Sequence, residues 1–171
     1  MKYNVMTNQN LLASIQLVVF DFDGVFTDNR VFVDQNGSES VACWRSDGLG
    51  LSRIHEVGIK AYIVSTETNP VVTQRANKLK IACRQSVADK AACVLEICDE
   101  LNVTPQETMF VGNDINDIPA FDLVAAGVGV ADSYDEIDPH ILFRTEKSGG
   151  FGAVREICDM LYHSKKINIS A

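Results

Sequence analysis

This sequence predicts an α/β fold: a Rossmann-like, doubly wound and mainly parallel sheet carrying a β-hairpin flap. Three observations support it. Short apolar runs alternate with stretches whose apolar residues recur at helical spacing. Gly, Pro, Asn and Asp punctuate the junctions between them. Acids and hydroxyls stand just past the ends of the apolar runs, where parallel sheets bind ligands.

The elements follow in order. Residues 17–23, LVVFDFD, form a continuous apolar run that breaks into acid and then Gly24, as a buried parallel strand would. Residues 31–44 place two β-prone arms around Asn36-Gly37, a hairpin turn signal. A helix is expected over 48–58, stopped by Gly58. Residues 61–65 read as a second buried strand, after which Asn69 and Pro70 supply the cap and first position of a helix reaching about Leu79. Asp89 caps a helix over 90–102, with Ala91, Val94, Leu95, Cys98 and Leu101 along one face. Thr104 and Glu107 have capping-box spacing ahead of a strand over 108–112. A helix within 117–126 ended by Gly127, strands near 128–131 and 141–145, and a helix over about 152–163 complete the pattern. Such alternation implies right-handed crossovers.

A chain of 171 residues without repeats or linkers fits one domain over 1–171. The formal net charge of −8 argues against non-specific nucleic-acid binding, where a basic face would be expected. No run of about 18 apolar residues offers a membrane span, and residues 1–16 are too polar for a secretory signal. The five cysteines form no CxxC pair, which fits buried, reduced thiols in a cytoplasmic protein.

The chemistry lies at the strand ends. Asp21 and Asp23, two apart on a strand, share a face and can converge at its mouth. One carboxylate can attack phosphorus while the other protonates the leaving oxygen and later deprotonates water. Two carboxylates beside a phosphate dianion call for a hard cation. Ser65 offers a hydroxyl at the next strand end, Lys90 a point charge at a helix start, and Asp114 and Asp117 follow Gly112-Asn113. Each alone also fits a cap, a turn or a solvated side chain; together, in this order, they point to phosphoryl transfer.

That order resembles the four-motif signature of the haloacid dehalogenase superfamily, across about residues 16–162. The resemblance implies Asp21 as nucleophile, Asp23 as general acid/base, and Ser65 and Lys90 as phosphate-binding groups. It also implies Mg²⁺ held by Asp21, Asp114 and the Asp23 backbone carbonyl, with Asp117 as an outer-shell acid. Asn113 departs from the commoner double acid after the glycine. DGVFTD (23–28), SDGLG (46–50) and GGFGAVREICDML (149–161) resemble the sugar-acid phosphatases, which act on 3-deoxy-octulosonate 8-phosphate or on sialic-acid-like nonulosonate 9-phosphates. A similar domain is fused to some CMP-sialate synthetases, where a non-catalytic role is the alternative. The group lacks a separate cap domain, and this chain has no insertion long enough for one. Its members form homotetramers in which the hairpin and C-terminal segment help close a neighbour's site, so Val31, Val33 and Val41 become candidate contacts. Thr66-Glu67 replaces the Gly-Arg usual in octulosonate phosphatases. The resemblance therefore implies a nine-carbon substrate, with Glu67, Arg75 and Lys78 as substrate-binding residues and the eight-carbon compound as the alternative. An arginine can bind a 2-keto acid's carboxylate bidentately.

Overall fold

The computed structural model describes residues 5–169. The chain runs α1 (Val5–Ser14), β1 (Leu17–Phe20), hairpin strands β2 (Phe32–Val33) and β3 (Glu39–Ser40), α2 (Asp47–Glu56), β4 (Lys60–Val64), α3 (Val71–Leu79) and β5 (Ala82–Arg84). It continues through α4 (Lys90–Leu101), β6 (Thr108–Gly112), α5 (Ile118–Leu123), β7 (Ala126–Gly129), β8 (Phe143–Arg144) and α6 (Ala153–Ile169). Six strands form one sheet in the order β5-β4-β1-β6-β7-β8, and every pairing is parallel. From β1 the chain winds outward through β4 and β5, then returns by α4 to β6 on the other side of β1. The winding therefore reverses between β1 and β6, and a crevice opens at their carboxyl ends.

Side chains of β1 alternate between two cores, and all of them are buried. Val18 and Phe20 join the layer of α1, α2, α3 and α6, which includes Leu12, Ile54, Val72 and Ile157. Leu17 and Val19 join the layer of α4 and α5, with Val94, Ile97 and Phe121. A strand buried on both faces has no polar alternation, which is why 17–20 reads as an unbroken apolar run. No helix among the described residues is long and apolar enough to cross a membrane.

Several local signals act as their chemistry dictates. The Asp89 carboxylate accepts from Ala92 N at 3.0 Å to cap α4. Asn69 Oδ1 accepts from Val71 N at 3.1 Å at the start of α3. Glu107 closes the Thr104 capping box, accepting from Thr104 N at 3.0 Å. Gly58 takes φ +82° just past α2. Other expectations need correction. Gly127 does not end a helix: α5 stops at Leu123 and Gly127 lies inside β7. A Cβ there would stand 2.8 Å from the His140 carbonyl oxygen and 3.1 Å from the Phe121 side chain, so this glycine lets β7 pack closely. The C-terminal helix runs on to Ile169, and the hairpin's paired arms are two residues each. Helix α1 and the edge strand β5 are additions to the elements expected from the sequence pattern.

The candidate active site

β1 delivers Asp21 to the crevice. Asp21 N donates to the Val111 carbonyl of β6 at 2.8 Å, and its Oδ1 accepts from Phe22 N at 2.7 Å. Burial and the neighbouring Asp117 charge push the Asp21 carboxyl up to about 7, against the opposing pull of Lys90. After Asp23, Gly24 turns the chain at φ +82°. A Cβ at Gly24 would meet Asn113 Nδ2 at 2.2 Å, so the loops following β1 and β6 touch there. Asp23 is half-buried. Its carboxyl is held above the ordinary range by burial and then by the Glu67 charge, while Lys90 and the Thr27 hydroxyl oppose the rise.

Lys90, at the first turn of α4, is buried between two acids. Its Nζ lies 2.9 Å from Asp21 Oδ1 and 2.6 Å from Asp117 Oδ1. Burial works to lower its pKa, but the Asp21 and Asp117 carboxylates outweigh it and raise the value. Asp117 Oδ2 also accepts from Asn113 N at 2.9 Å and Asp114 N at 3.3 Å. One buried carboxylate thus orients both the lysine and the loop that bears Asp114. Ser65 emerges from β4, one strand over from β1, with its hydroxyl oxygen accepting from Glu67 N at 3.1 Å. The Ser65 hydroxyl hydrogen is left to donate elsewhere.

Asp114 is half-buried, and its Oδ1 accepts from Ile115 N at 2.7 Å. Asn113 Oδ1 is buried without a hydrogen-bond partner. Among the described residues no three His, Cys, Asp or Glu side chains form a ready-made cation cage. A site of two carboxylates and a backbone carbonyl needs no third acid, and every donor in it is a hard oxygen, which suits Mg²⁺.

The substrate candidates are placed unequally. Glu67 lines a cavity of about 270 Å³ together with Asp23. Its Oε1 accepts from Thr68 N at 2.6 Å and Asn69 N at 2.8 Å. Arg75 Nη2 donates to the Trp44 carbonyl at 2.9 Å, and its buried Nε has no partner. Lys78 is exposed. Neither Arg75 nor Lys78 lines the cavity beside Asp23. Sequence reasoning passed over Thr27, a buried hydroxyl that accepts from Gly24 N at 3.1 Å and Asn29 N at 3.2 Å and so fixes the loop after Asp23. A threonine three residues past a Gly-turn was its only signal. The C-terminal GGFG segment backs the same loop, with Gly150 N donating to the Val25 carbonyl at 3.1 Å.

Known proteins resemble this chain in sequence and fold. A family model for haloacid dehalogenase-like hydrolases matches residues 47–123. The 3-deoxy-D-manno-octulosonate 8-phosphate phosphatase KdsC of Salmonella typhi is 31% identical over 149 residues, covering 86% of this chain and 79% of that protein. A solved structure from Streptomyces avermitilis MA-4680, described as a HAD family hydrolase, is 41% identical with TM-score 0.83, covering 86% of this chain and 84% of that one. The 3-deoxy-D-manno-octulosonate 8-phosphate phosphatase of Moraxella catarrhalis, solved with magnesium, phosphate and KDO, superposes at TM-score 0.89 and 26% identity, covering 96% and 97% of the two chains.

Proposed function

Because this chain belongs to the haloacid dehalogenase-like hydrolases and is a phosphoric monoester hydrolase, we propose that it removes phosphate from a 2-keto-3-deoxy nonulosonic acid 9-phosphate through an aspartyl-phosphate. The carrying observation is the buried Asp21–Lys90–Asp117 array, with Asp23 beside it opening onto the Glu67 cavity. Asp21 attacks phosphorus, while the Ser65 hydroxyl and Lys90 ammonium donate to the phosphoryl oxygens. Asp23, whose raised pKa favours the protonated form, gives its proton to the departing sugar oxygen and then takes one from the attacking water. Mg²⁺ is the cofactor in this reading, held by the Asp21 and Asp114 carboxylates and the Asp23 carbonyl. When bound it neutralises the charge that the carboxylates and the phosphate dianion set against one another.

Glu67 supports the nine-carbon substrate. With Oε1 held by backbone N–H groups, its other oxygen is left to accept from sugar hydroxyls. Arg75 and Lys78 are proposed to add positive charge toward the substrate's acidic end. The second reading, octulosonate 8-phosphate, is favoured by what the curated relatives act on. A homotetramer is the proposed assembly; Val31, Phe32 and Val33 of the flap are exposed, while Val41 packs on this chain's own core. Phosphate release from eight- and nine-carbon sugar-acid phosphates, with Mg²⁺ or with excess EDTA, tests the reading. Hydrolysis should need the metal, and Asp21→Asn should lose several orders of magnitude in rate. A rate indifferent to EDTA, or a tenth of it surviving in Asp21→Asn, refutes the mechanism.

A further inference from the structure

The loop after β6 that bears Asp114 is braced from outside by the segment that follows β7. Tyr134 N donates to the Asn113 carbonyl at 3.0 Å, and Ser133 Oγ donates to the Gly112 carbonyl at 3.4 Å. That segment is held in turn by one side chain, Arg144 of β8. Its Nη1 donates to the Ser133 carbonyl at 2.6 Å and its Nη2 to the Tyr134 carbonyl at 3.2 Å. Sheet register explains the reach: Arg144 pairs with Gly129 of β7, which pairs with Gly112 of β6. Two strand spacings, about 10 Å, therefore separate Arg144 from the start of the loop. Gly129 leaves room for the brace, because a Cβ there would stand 3.3 Å from Ser133 Oγ and 3.0 Å from the Ile137 side chain. The acids on the same guanidinium, Asp135 and Asp138, have side chains 96% and 56% exposed, and ion pairs so open to solvent add little. The two carbonyls are the contacts that lead inward.

We propose that Arg144 is a positioning residue, acting through Ser133 and Tyr134 to hold the Asp114 loop in the geometry that binds Mg²⁺. This rests on the metal-dependent reading above and extends it to the edge of the sheet. From the inside, Asp117 Oδ2 accepts from the Asn113 and Asp114 N–H groups. From the outside, Ser133 and Tyr134 hold the Gly112 and Asn113 carbonyls. Both peptide units, 112–113 and 113–114, are thus fastened at the carbonyl and at the N–H, and a planar unit fastened at both ends cannot tilt. Mg²⁺ demands near-ideal octahedral geometry, so a tilt of this loop would weaken its hold on the ion. Without the guanidinium, the Ser133 and Tyr134 carbonyls lose their donor and the outer fastening loosens. An arginine suits the task because its rigid fork reaches two carbonyls at once, whereas a lysine is a single mobile point charge.

The test is calorimetric titration of metal-stripped protein with Mg²⁺, alongside the Mg²⁺ dependence of phosphate release and urea unfolding of each variant. Arg144→Met should weaken Mg²⁺ binding about tenfold, the lower end of what losing a group behind a metal ligand costs. Its kcat at saturating Mg²⁺ should change less than its Mg²⁺ constant. Arg144→Lys should recover part of the affinity, and Ser133→Ala, which removes only the hydroxyl link to Gly112, should weaken binding by less than Arg144→Met. Arg53→Met is the control for stability alone: it breaks the Asp159 ion pair between α2 and α6 and the contact of Arg53 with the Tyr162 ring, 4.2 Å away. It should lower stability and keep the wild-type Mg²⁺ constant. If Arg144→Met loses stability as Arg53→Met does and also keeps the wild-type Mg²⁺ constant, Arg144 is structural and the proposal is overturned while the metal reading stands. Should Arg144→Met fail to fold, unchanged Mg²⁺ constants in both Arg144→Lys and Ser133→Ala overturn it equally. A wild type that binds no Mg²⁺ overturns the metal reading and this proposal with it.

Discussion

Asp47, the first residue of α2, makes the protein less stable as the pH rises, and Asp47→Asn should remove that dependence. The residue is 1% exposed, and one of its carboxylate oxygens has no hydrogen-bond partner. Burial pushes its carboxyl up to about 7, against the Arg75 charge, the Arg155 backbone N–H and the Arg155 charge. In the unfolded chain an aspartate titrates near about 3.9. The native state therefore binds the proton more tightly, and between those values it holds more protons than the unfolded state. Stability then falls as pH rises, starting above the unfolded pKa and levelling off above about 7. At about 1.36 kcal/mol per unit the full span is on the order of 4 kcal/mol, of which roughly 2–3 kcal/mol falls between roughly pH 5 and 8. Other groups add their own slopes, so the informative quantity is the difference between wild type and Asp47→Asn. Asparagine keeps the acceptor for the Arg155 N–H and cannot ionise. Urea unfolding at one protein concentration, across pH 5 to 8, gives both curves. The variant should gain on the wild type by roughly 2–3 kcal/mol over that range. Parallel curves would refute the argument, because Asp47 would then be ionised in the native state at no cost.

Three further outcomes follow from the same geometry. Lys90→Met leaves Asp21 and Asp117 buried without their shared cation, so it should cost about 3–5 kcal/mol at neutral pH and less in acid, where a carboxyl can take up a proton; urea unfolding at the two pH values checks this. Gly149→Ala would put a Cβ 1.8 Å from the Gly24 carbonyl oxygen, so the loop after Asp21 must shift, and kcat should fall on the order of a hundredfold for a displacement near 1 Å while circular dichroism shows a folded protein. Glu67→Arg should change the ratio of kcat/KM between nonulosonate 9-phosphate and octulosonate 8-phosphate by about tenfold to a hundredfold against the nine-carbon compound; a parallel loss on both would give Glu67 a structural role.

What the sequence determined by itself was whatever depends on neighbours along the chain. Strand β1 is legible because a doubly buried strand has no polar alternation, and Asp21 and Asp23 are legible because they break that run. The caps at Asp89, Asn69 and Thr104 are local hydrogen bonds, so their residue types announce them. The order of Ser65, Lys90 and Asp114 along the chain is likewise a matter of sequence. Tertiary structure decided the rest, because the energies involved come from groups far apart in the chain. Edge strand β5 is three residues long and exists through its pairing with β4. Helix α1 has a weakly patterned sequence and gains its place by packing on α6. Gly127 has the same sequence signature whether it ends a helix or admits a close neighbour; only the His140 carbonyl and the Phe121 ring distinguish the two. Lys90 looks like any surface lysine until α4 sets its ammonium between two buried carboxylates from β1 and the loop after β6.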